Sequence, residues 1–240
     1  LQKQKEMEQQ IMTERVRNLR MEQLLKRMEL YTMQAQMNPH FLFNTLNTGV
    51  QLAIVEEAER TADFMENLAA LFRHNLRGKK YLVPLRHEIE GLKSYYAILK
   101  IRFPKTLRLI LDIDDTLLEG FDCPAMILQP LVENSVLHAF SHIDKIGTIT
   151  VRVRLEHPVL VISVRDDGIG MPEDLVKELL TPHTHDYQLG PKVMGLENVI
   201  QRCYFFYPNQ KDVIDIKTAP GEGTEILIRI HTEVEPCIEL

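Results

Sequence analysis

The sequence predicts an α+β chain in two parts: helices as far as about residue 101, then a two-layer α/β sandwich. Two observations predict it. Apolar residues recur three and four apart, the helical period, as far as Leu92, Tyr96 and Leu99. From Leu107 the texture changes to short apolar runs that alternate with helical stretches.

Residues 1–35 contain no Gly or Pro and are rich in Gln, Glu, Lys, Arg and Met, all strong helix formers. Met12, Val16 and Leu19 follow a four-then-three spacing, as do Leu24, Met28 and Tyr31, with a register break between the two seams. This predicts a short coiled coil, a parallel dimer entering from an upstream sensor, against the plainer alternative of a solitary solvated helix. In the next helix Leu42, Leu46 and Ala53 supply an apolar face, continued upstream by Met33, Met37 and Phe41. Pro39 has no N–H for the carbonyl of Ala35, so the helix should bend or loosen one turn before His40. His40 and Asn44 share a helix face and can meet the same ligand. An imidazole titrates near neutral pH and serves as nucleophile, base or ligand. On these residues alone, a half-buried histidine in a kinked helix fits equally.

A second helix is expected from about Glu56 to Leu76, burying Phe64, Leu68, Leu71 and Phe72, with Gly78 suited to its C-terminal cap. The pair reads as a helical hairpin, a four-helix bundle when dimeric. A third helix is expected over 85–101. Leu107 to Ile113 reads as a strand and 124–140 as a helix. Thr148 to Leu155 and Val159 to Arg165 read as strands meeting at His157-Pro158. Helices follow near 172–180 and 193–206. Asp212 to Thr218 and Thr224 to His231 close the chain as strands, joined through Pro220-Gly221-Glu222-Gly223. The boundary between the two parts falls near 80–104.

At 240 residues the chain suggests about two domains. Hydrophobic residues at 45% and charged residues at 26% fit a soluble globular protein. The net charge of −6 gives no reason to expect nucleic-acid binding. Cys123, Cys203 and Cys237 lack metal spacing and are odd in number, which favours reduced thiols in a cytosolic compartment. No stretch approaches the roughly 18 apolar residues of a membrane span, and there is no signal peptide. Starting at Leu1, the chain reads as the soluble end of something longer or as a processed form.

Four weak signals fall in the second part. In the run Leu128 to His138, Glu133, Asn134 and His138 are polar groups in an apolar stretch. An Asn oxygen suits Mg²⁺, and a His one turn on could contact a phosphate; an amphipathic helix with a polar side fits as well. Asp166-Asp167-Gly168-Ile169-Gly170 follows a buried strand. A carboxylate there can accept from an exocyclic amine and the glycines admit a flat ligand, although Asp-Gly turns are common at strand ends. Gly195-Leu196 opens a helix, whose free N–H groups suit phosphate. Gly221-Glu222-Gly223-Thr224 precedes the last strand. Each of these last two is, alone, a turn or a cap.

Taken in this order, behind the run Asn38-Pro39-His40-Phe41-Leu42-Phe43-Asn44, the signals make the chain resemble the sensor histidine kinases, most closely the LytS/YesM-like family. The resemblance covers roughly 29–230. It implies a dimerisation and histidine-phosphotransfer hairpin over 36–80 and, after a connecting helix over 81–104, a Bergerat-type (GHKL) ATP-binding domain over 105–231; the coiled coil read from spacing takes 1–35, and 232–240, outside the family's pattern, reads as a tail. By position, it implies that His40 is the phosphoacceptor and Asn134 the magnesium ligand, with His138 near the triphosphate. Asp166 matches the carboxylate that reads the adenine amino group, with Gly168 and Gly170 lining the base. Gly195 and Leu196 match the glycine box beside an ATP lid over roughly 177–194, and Gly221, Gly223 and Thr224 match the last glycine box.

The implied reaction is Mg²⁺-dependent autophosphorylation of His40 by ATP, then transfer to a receiver Asp of a response regulator. Asn44 matches where related kinases orient water for dephosphorylating the regulator. Four positions depart from the family pattern: Phe41 where an acidic residue often follows the His, Val193 for a glycine, Leu137 for a lysine and Ala139 for a glycine. The same fold serves gyrase and chaperone ATPases, which resemble one another in a water-activating Glu where this chain has Pro130. A degenerate kinase, a nucleotide-binding dimeric scaffold, is the alternative that Val193 and Leu137 keep alive. The expected setting is the cytoplasmic part of a membrane receptor, working as a homodimer.

Overall fold

The computed structural model describes residues 39–76, 81–140, 146–181, 194–210, 212–233 and 236. The expected coiled coil over 1–35, the cap at Gly78, Val193, Cys237 and most of the expected lid lie outside the described residues. The chain divides into two compact units between Ala62 and Asp63.

Helix α1 runs Pro39–Val55 and is free of charged residues. Leu46, Val50 and Ala53, four and three apart, are its buried face. Phe41, expected to extend that face, is 67% exposed, as are Leu52, Ile54 and Val55 to similar degrees. Glu57 adopts a left-handed backbone at φ 57, and the Ala58 N–H returns to the Ala53 carbonyl at 2.8 Å. The second helix therefore starts at Glu59 and not at Glu56: α2 spans Glu59–Leu76. Ala69 is its most buried residue in the second unit, while Phe64, Leu68, Leu71 and Phe72 are half-buried.

The second unit is a two-layer sandwich. Strands β2 (Leu107–Ile113), β4 (Gly147–Glu156), β5 (Val159–Asp166), β6 (Ile214–Ala219) and β7 (Gly223–His231) form one sheet in the order β2-β4-β5-β7-β6. Among these strands only β2 and β4 pair in parallel. The period-two pattern sends Ile149, Val151 and Val153 of β4 and Leu160, Ile162 and Val164 of β5 into one core. On that face lie helices α3 (Leu85–Arg102), α4 (Leu128–Asn134), α5 (Glu173–Leu180) and α6 (Met194–Phe206). Phe206, Leu131, Leu85 and Leu92 are fully buried there, each contributing about 1.5–3 kcal/mol by leaving water. The opposite sheet face carries Thr150, Arg152, Arg154 and Arg165. The β4–β5 hairpin turns at His157-Pro158, a cis peptide bond.

Three features of this unit depart from the expected elements. The helix expected from 124 starts at Leu128, because Cys123 and Pro124 are taken up in a small antiparallel sheet. There β3 (Asp122–Pro124) pairs with β1 (Leu82–Pro84). Past Asn134 the α-helix gives way to a π turn over Ser135–Ala139. The strand expected from Asp212 begins at Ile214.

Candidate nucleotide site

The end of β5 holds the most constrained polar group of the sheet. Asp166 is 4% exposed and lies opposite Thr224 in the ladder. Its Oδ1 accepts from the N–H groups of Gly168 at 3.0 Å and Thr224 at 3.2 Å, and its Oδ2 accepts from the Ser135 hydroxyl at 2.9 Å. Burial pushes the carboxyl up from its ordinary range. The three donors pull it back down, and the neighbouring Asp167 adds to the rise. The carboxylate joins β5, β7 and the start of the π turn, and it keeps acceptor capacity on Oδ2 for one further donor.

The two glycine segments lock against each other at this end of the sheet. Gly170 is left-handed, and a methyl there would stand 2.0 Å from the Ala219 carbonyl oxygen. Gly223 is left-handed too, and a methyl there would stand 2.1 Å from the Asp166 carbonyl oxygen. Both steric demands come from the protein's own backbone, before any ligand enters. Gly168 packs on Ala139, whose carbonyl accepts from the Ile169 N–H at 3.1 Å. Gly221 donates to the Ile169 carbonyl at 2.7 Å, and Met171 donates to the Thr218 hydroxyl at 2.8 Å.

Asn134 is the last residue of α4, half-buried, next in sequence to the Ser135 that holds Asp166. Its side chain makes no hydrogen bond among the described residues, which leaves the amide oxygen open as a hard donor. No cluster of three or more His, Cys, Asp or Glu that could hold a metal occurs among the described residues. That donor set fits Mg²⁺, which takes one or two protein oxygens and completes its shell from phosphates and water. His138 lies in the π turn, so its direction from Asn134 follows an i→i+5 turn instead of the α-helical face expected. Leu196 is buried in the core while Gly195 beside it is exposed at the start of α6. Leu137 is 54% exposed. His40 and Asn44 belong to the first unit, on α1, where Asn44 is exposed.

Four residues that the sequence pattern did not single out help build the site. Ser135 is one, signalled only by its place beside Asn134. Asp167 is another: its carboxylate accepts from the Thr148 N–H at 2.7 Å and so fixes β5 to β4. Glu88 of α3 accepts from three consecutive N–H groups, those of Met126 at 2.7 Å, Ile127 at 2.9 Å and Leu128 at 3.0 Å. Arg202 of α6 donates to the carbonyls of Ala125 and Met126. Burial pulls its guanidinium below the ordinary range, and the Glu88 carboxylate opposes that. The turn they hold includes Met126 at φ 58, a strain of about 1–3 kcal/mol. The signal for Glu88 was its spacing, since it shares the helical face of Leu85, Ile89 and Leu92.

Two family models match the chain: "Histidine kinase" over residues 28–107, and "Histidine kinase-, DNA gyrase B-, and HSP90-like ATPase" over 124–234. The sensor protein LytS of Bacillus subtilis is 34% identical over 209 residues, covering 86% of this chain and 34% of that protein. The sensor histidine kinase YesM of the same organism is 29% identical over 222 residues, covering 92% of this chain and 35% of that protein. The histidine kinase domain of the blue-light activated histidine kinase of Erythrobacter litoralis is similar with a TM-score of 0.46 at 17% identity, covering 88% of this chain and 93% of that one. The chain spans about a third of the length of the curated relatives it matches. No described helix is long and apolar enough to cross a membrane. With both family models falling in order on the described helices and sheet, and with LytS and YesM aligned along most of its length, the chain belongs to the LytS/YesM-like sensor histidine kinases.

Proposed function

We propose that this chain is the kinase region of a membrane sensor and that it phosphorylates its own His40 from ATP. The observation that carries the proposal is the buried Asp166 carboxylate, held by three donors beside the Asn134-bearing end of α4. Asp166 accepts the adenine amino group, and the segments around Gly168, Gly170 and Gly223 form the rigid floor of the base site. Asn134 supplies an oxygen to Mg²⁺, whose chemistry when bound is to offset the charge of the phosphates. His138 and the Gly195-Leu196 helix start lie toward the triphosphate, with residues around 177–194 as a lid.

A neutral ring nitrogen of His40 attacks the γ-phosphorus. The bond from that phosphorus to the bridging oxygen breaks, and ADP leaves with the oxygen. The phosphoryl group then passes to a carboxylate oxygen on the receiver domain of a response regulator, freeing His40. Pro39 loosens the chain so that His40 reaches the nucleotide, and Asn44 orients a water that attacks the regulator's aspartyl phosphate and releases inorganic phosphate. Phe41, Leu52, Ile54 and Val55, exposed on α1, are the apolar surface that a homodimer would cover.

The test is incubation with γ-labelled ATP and Mg²⁺ beside a His40→Gln variant. Acid-labile, alkali-stable label that disappears in the variant is expected. Label that persists in the variant refutes His40 as the acceptor. Nucleotide binding without any label moves the reading to a dimeric scaffold.

A further inference from the structure

Glu88 is a charged residue on the apolar face of α3, and it is 7% exposed. A carboxylate enters such a face only with strong partners. Its partners are the N–H groups of Met126, Ile127 and Leu128, which open α4; no side chain at the start of α4 caps that helix itself. From the other side Arg202 holds the carbonyls of Ala125 and Met126. The turn is gripped at its donors by α3 and at its acceptors by α6.

Helix α4 is only seven residues long, and Asn134 is its last. Its turns run on through the π turn and Ser135 ties that end to Asp166, so the start is the end whose placement depends on α3 and α6. We propose that Glu88, with Arg202, is a positioning residue for the metal- and phosphate-binding end of the nucleotide site. By fixing the 125–128 turn it sets where Asn134 stands relative to Asp166. The inference rests on the kinase reading of Asn134 given above. A second contact gives it direction. His87, next to Glu88 in the same turn of α3, meets His74 near the end of α2, with Nδ1 atoms 3.4 Å apart and ring centroids 4.6 Å apart. All of these residues belong to one compact unit. One turn of α3 thus touches the helical arm through His87 and the α4 start through Glu88. A shift at the end of α2 reaches Asn134 through that turn.

Glu88→Gln keeps the size of the side chain but leaves one accepting oxygen and sets an NH₂ group against backbone donors. ATP binding to the 240-residue chain is measured by calorimetry, with saturating Mg²⁺ and with a chelator, for the parent, Glu88→Gln and Arg202→Gln. The expected result is an about tenfold loss of the affinity gained from Mg²⁺, while the chelated affinity, carried by Asp166, stays within about twofold. A lower melting temperature with the Mg²⁺ gain unchanged would mark a cap that only stabilises, and overturns the proposal. Equal losses with and without Mg²⁺ overturn it as well, since they mark disruption of the whole site. If Glu88→Gln does not fold, Arg202→Gln decides by the same two affinities, because it leaves the Glu88 cap in place. A parent chain that gains nothing from Mg²⁺ removes the kinase reading of Asn134 and the proposal with it, before any variant is compared.

Discussion

Replacing Asp166 by Asn should separate nucleotide affinity from stability and move the two in different directions. Asp166 is 4% exposed, and burial holds its carboxyl above the ordinary range, so the anion is an unfavourable occupant of its own site. In Asp166→Asn the amide oxygen can keep the Gly168 and Thr224 N–H groups. The amide nitrogen then faces the Ser135 hydroxyl, which can turn its hydrogen to the Leu131 carbonyl, 3.3 Å away, and accept. All partners remain satisfied and a buried charge is gone, so the melting temperature without nucleotide should hold or rise. Nucleotide meets the opposite change: the NH₂ of Asn opposes the exocyclic amine of adenine, donor against donor. A hydrogen bond to a charged group is worth about 1.5–3 kcal/mol, which is about 10- to 150-fold in Kd. Guanine, which presents an acceptor at that position, should lose less, narrowing the preference for ATP over GTP. Calorimetry with both nucleotides and melting curves of the free protein check this. ATP affinity within about twofold of the parent would refute the assignment of Asp166 to the base. A clear fall in melting temperature would refute the account of its burial.

The pH dependence follows from the same group. With a folded-state value raised above the unfolded one, Asp166 binds its proton first in the folded state, so its contribution to stability is present at low pH and is lost as pH rises through the folded value. Binding runs the other way: ATP affinity should weaken as pH falls through that raised value, at a pH above the ordinary Asp range, and the change should vanish in Asp166→Asn. Gly223→Ala adds a methyl 2.1 Å from the Asp166 carbonyl oxygen at positive φ. Strain of about 1–2 kcal/mol and overpacking of about 1–3 kcal/mol give a loss of about 2–5 kcal/mol in denaturant melts. Gly221→Ala has the same sign of φ but nothing within 4 Å, and the restricted unfolded chain returns about 0.4–1 kcal/mol, so its net loss should stay near about 1 kcal/mol. Leu131→Ala, fully buried under the sheet, should lose about 2–5 kcal/mol.

Strands with one buried face were legible to within two residues: β2 as Leu107–Ile113, β5 from Val159, and β7 to His231. Alternation there is dictated by the core itself, so pattern and structure share one cause. The three-residue strands β1 and β3 have no such period. Leu82-Val83-Pro84 and Asp122-Cys123-Pro124 become strands only because they pair with each other across the start of α3. That pairing, with the left-handed Met126, delayed α4 by four residues from where its apolar run begins. The turns around Asp166, Gly170, Gly221 and Gly223 stood out in the sequence because backbone geometry demands glycine at three of these positions and backbone donors hold the aspartate at the fourth. Glu88 was not, because its role comes from a turn some 40 residues away in the chain.

The two ends of the proposed nucleotide site are built in different ways, and that difference bears on regulation. The base end is made of sheet: Asp166 is tied into the β5–β7 ladder, and the segments at Gly170 and Gly223 fit so closely that a single added methyl would force them apart. Moving it means unpairing strands at the centre of the core. The phosphate end hangs on a seven-residue helix whose start is held by side chains from α3 and α6. Its middle is packed in the core through Leu128, Leu131 and Val132 and its far end is tied to Asp166 through Ser135, so its start is where side chains of neighbouring helices act on it. On the reading proposed above, a shift at the end of α2 reaches Asn134 through the 125–128 turn, while Asp166 stays in the strand ladder. On that reading the kinase would keep its nucleotide in both states and switch through the metal and phosphates. Adenine-dominated ADP affinity should then be nearly blind to changes at His74 and His87, while Mg²⁺-dependent ATP affinity responds. Equal responses of the two ligands in a His87→Ala variant would refute the division.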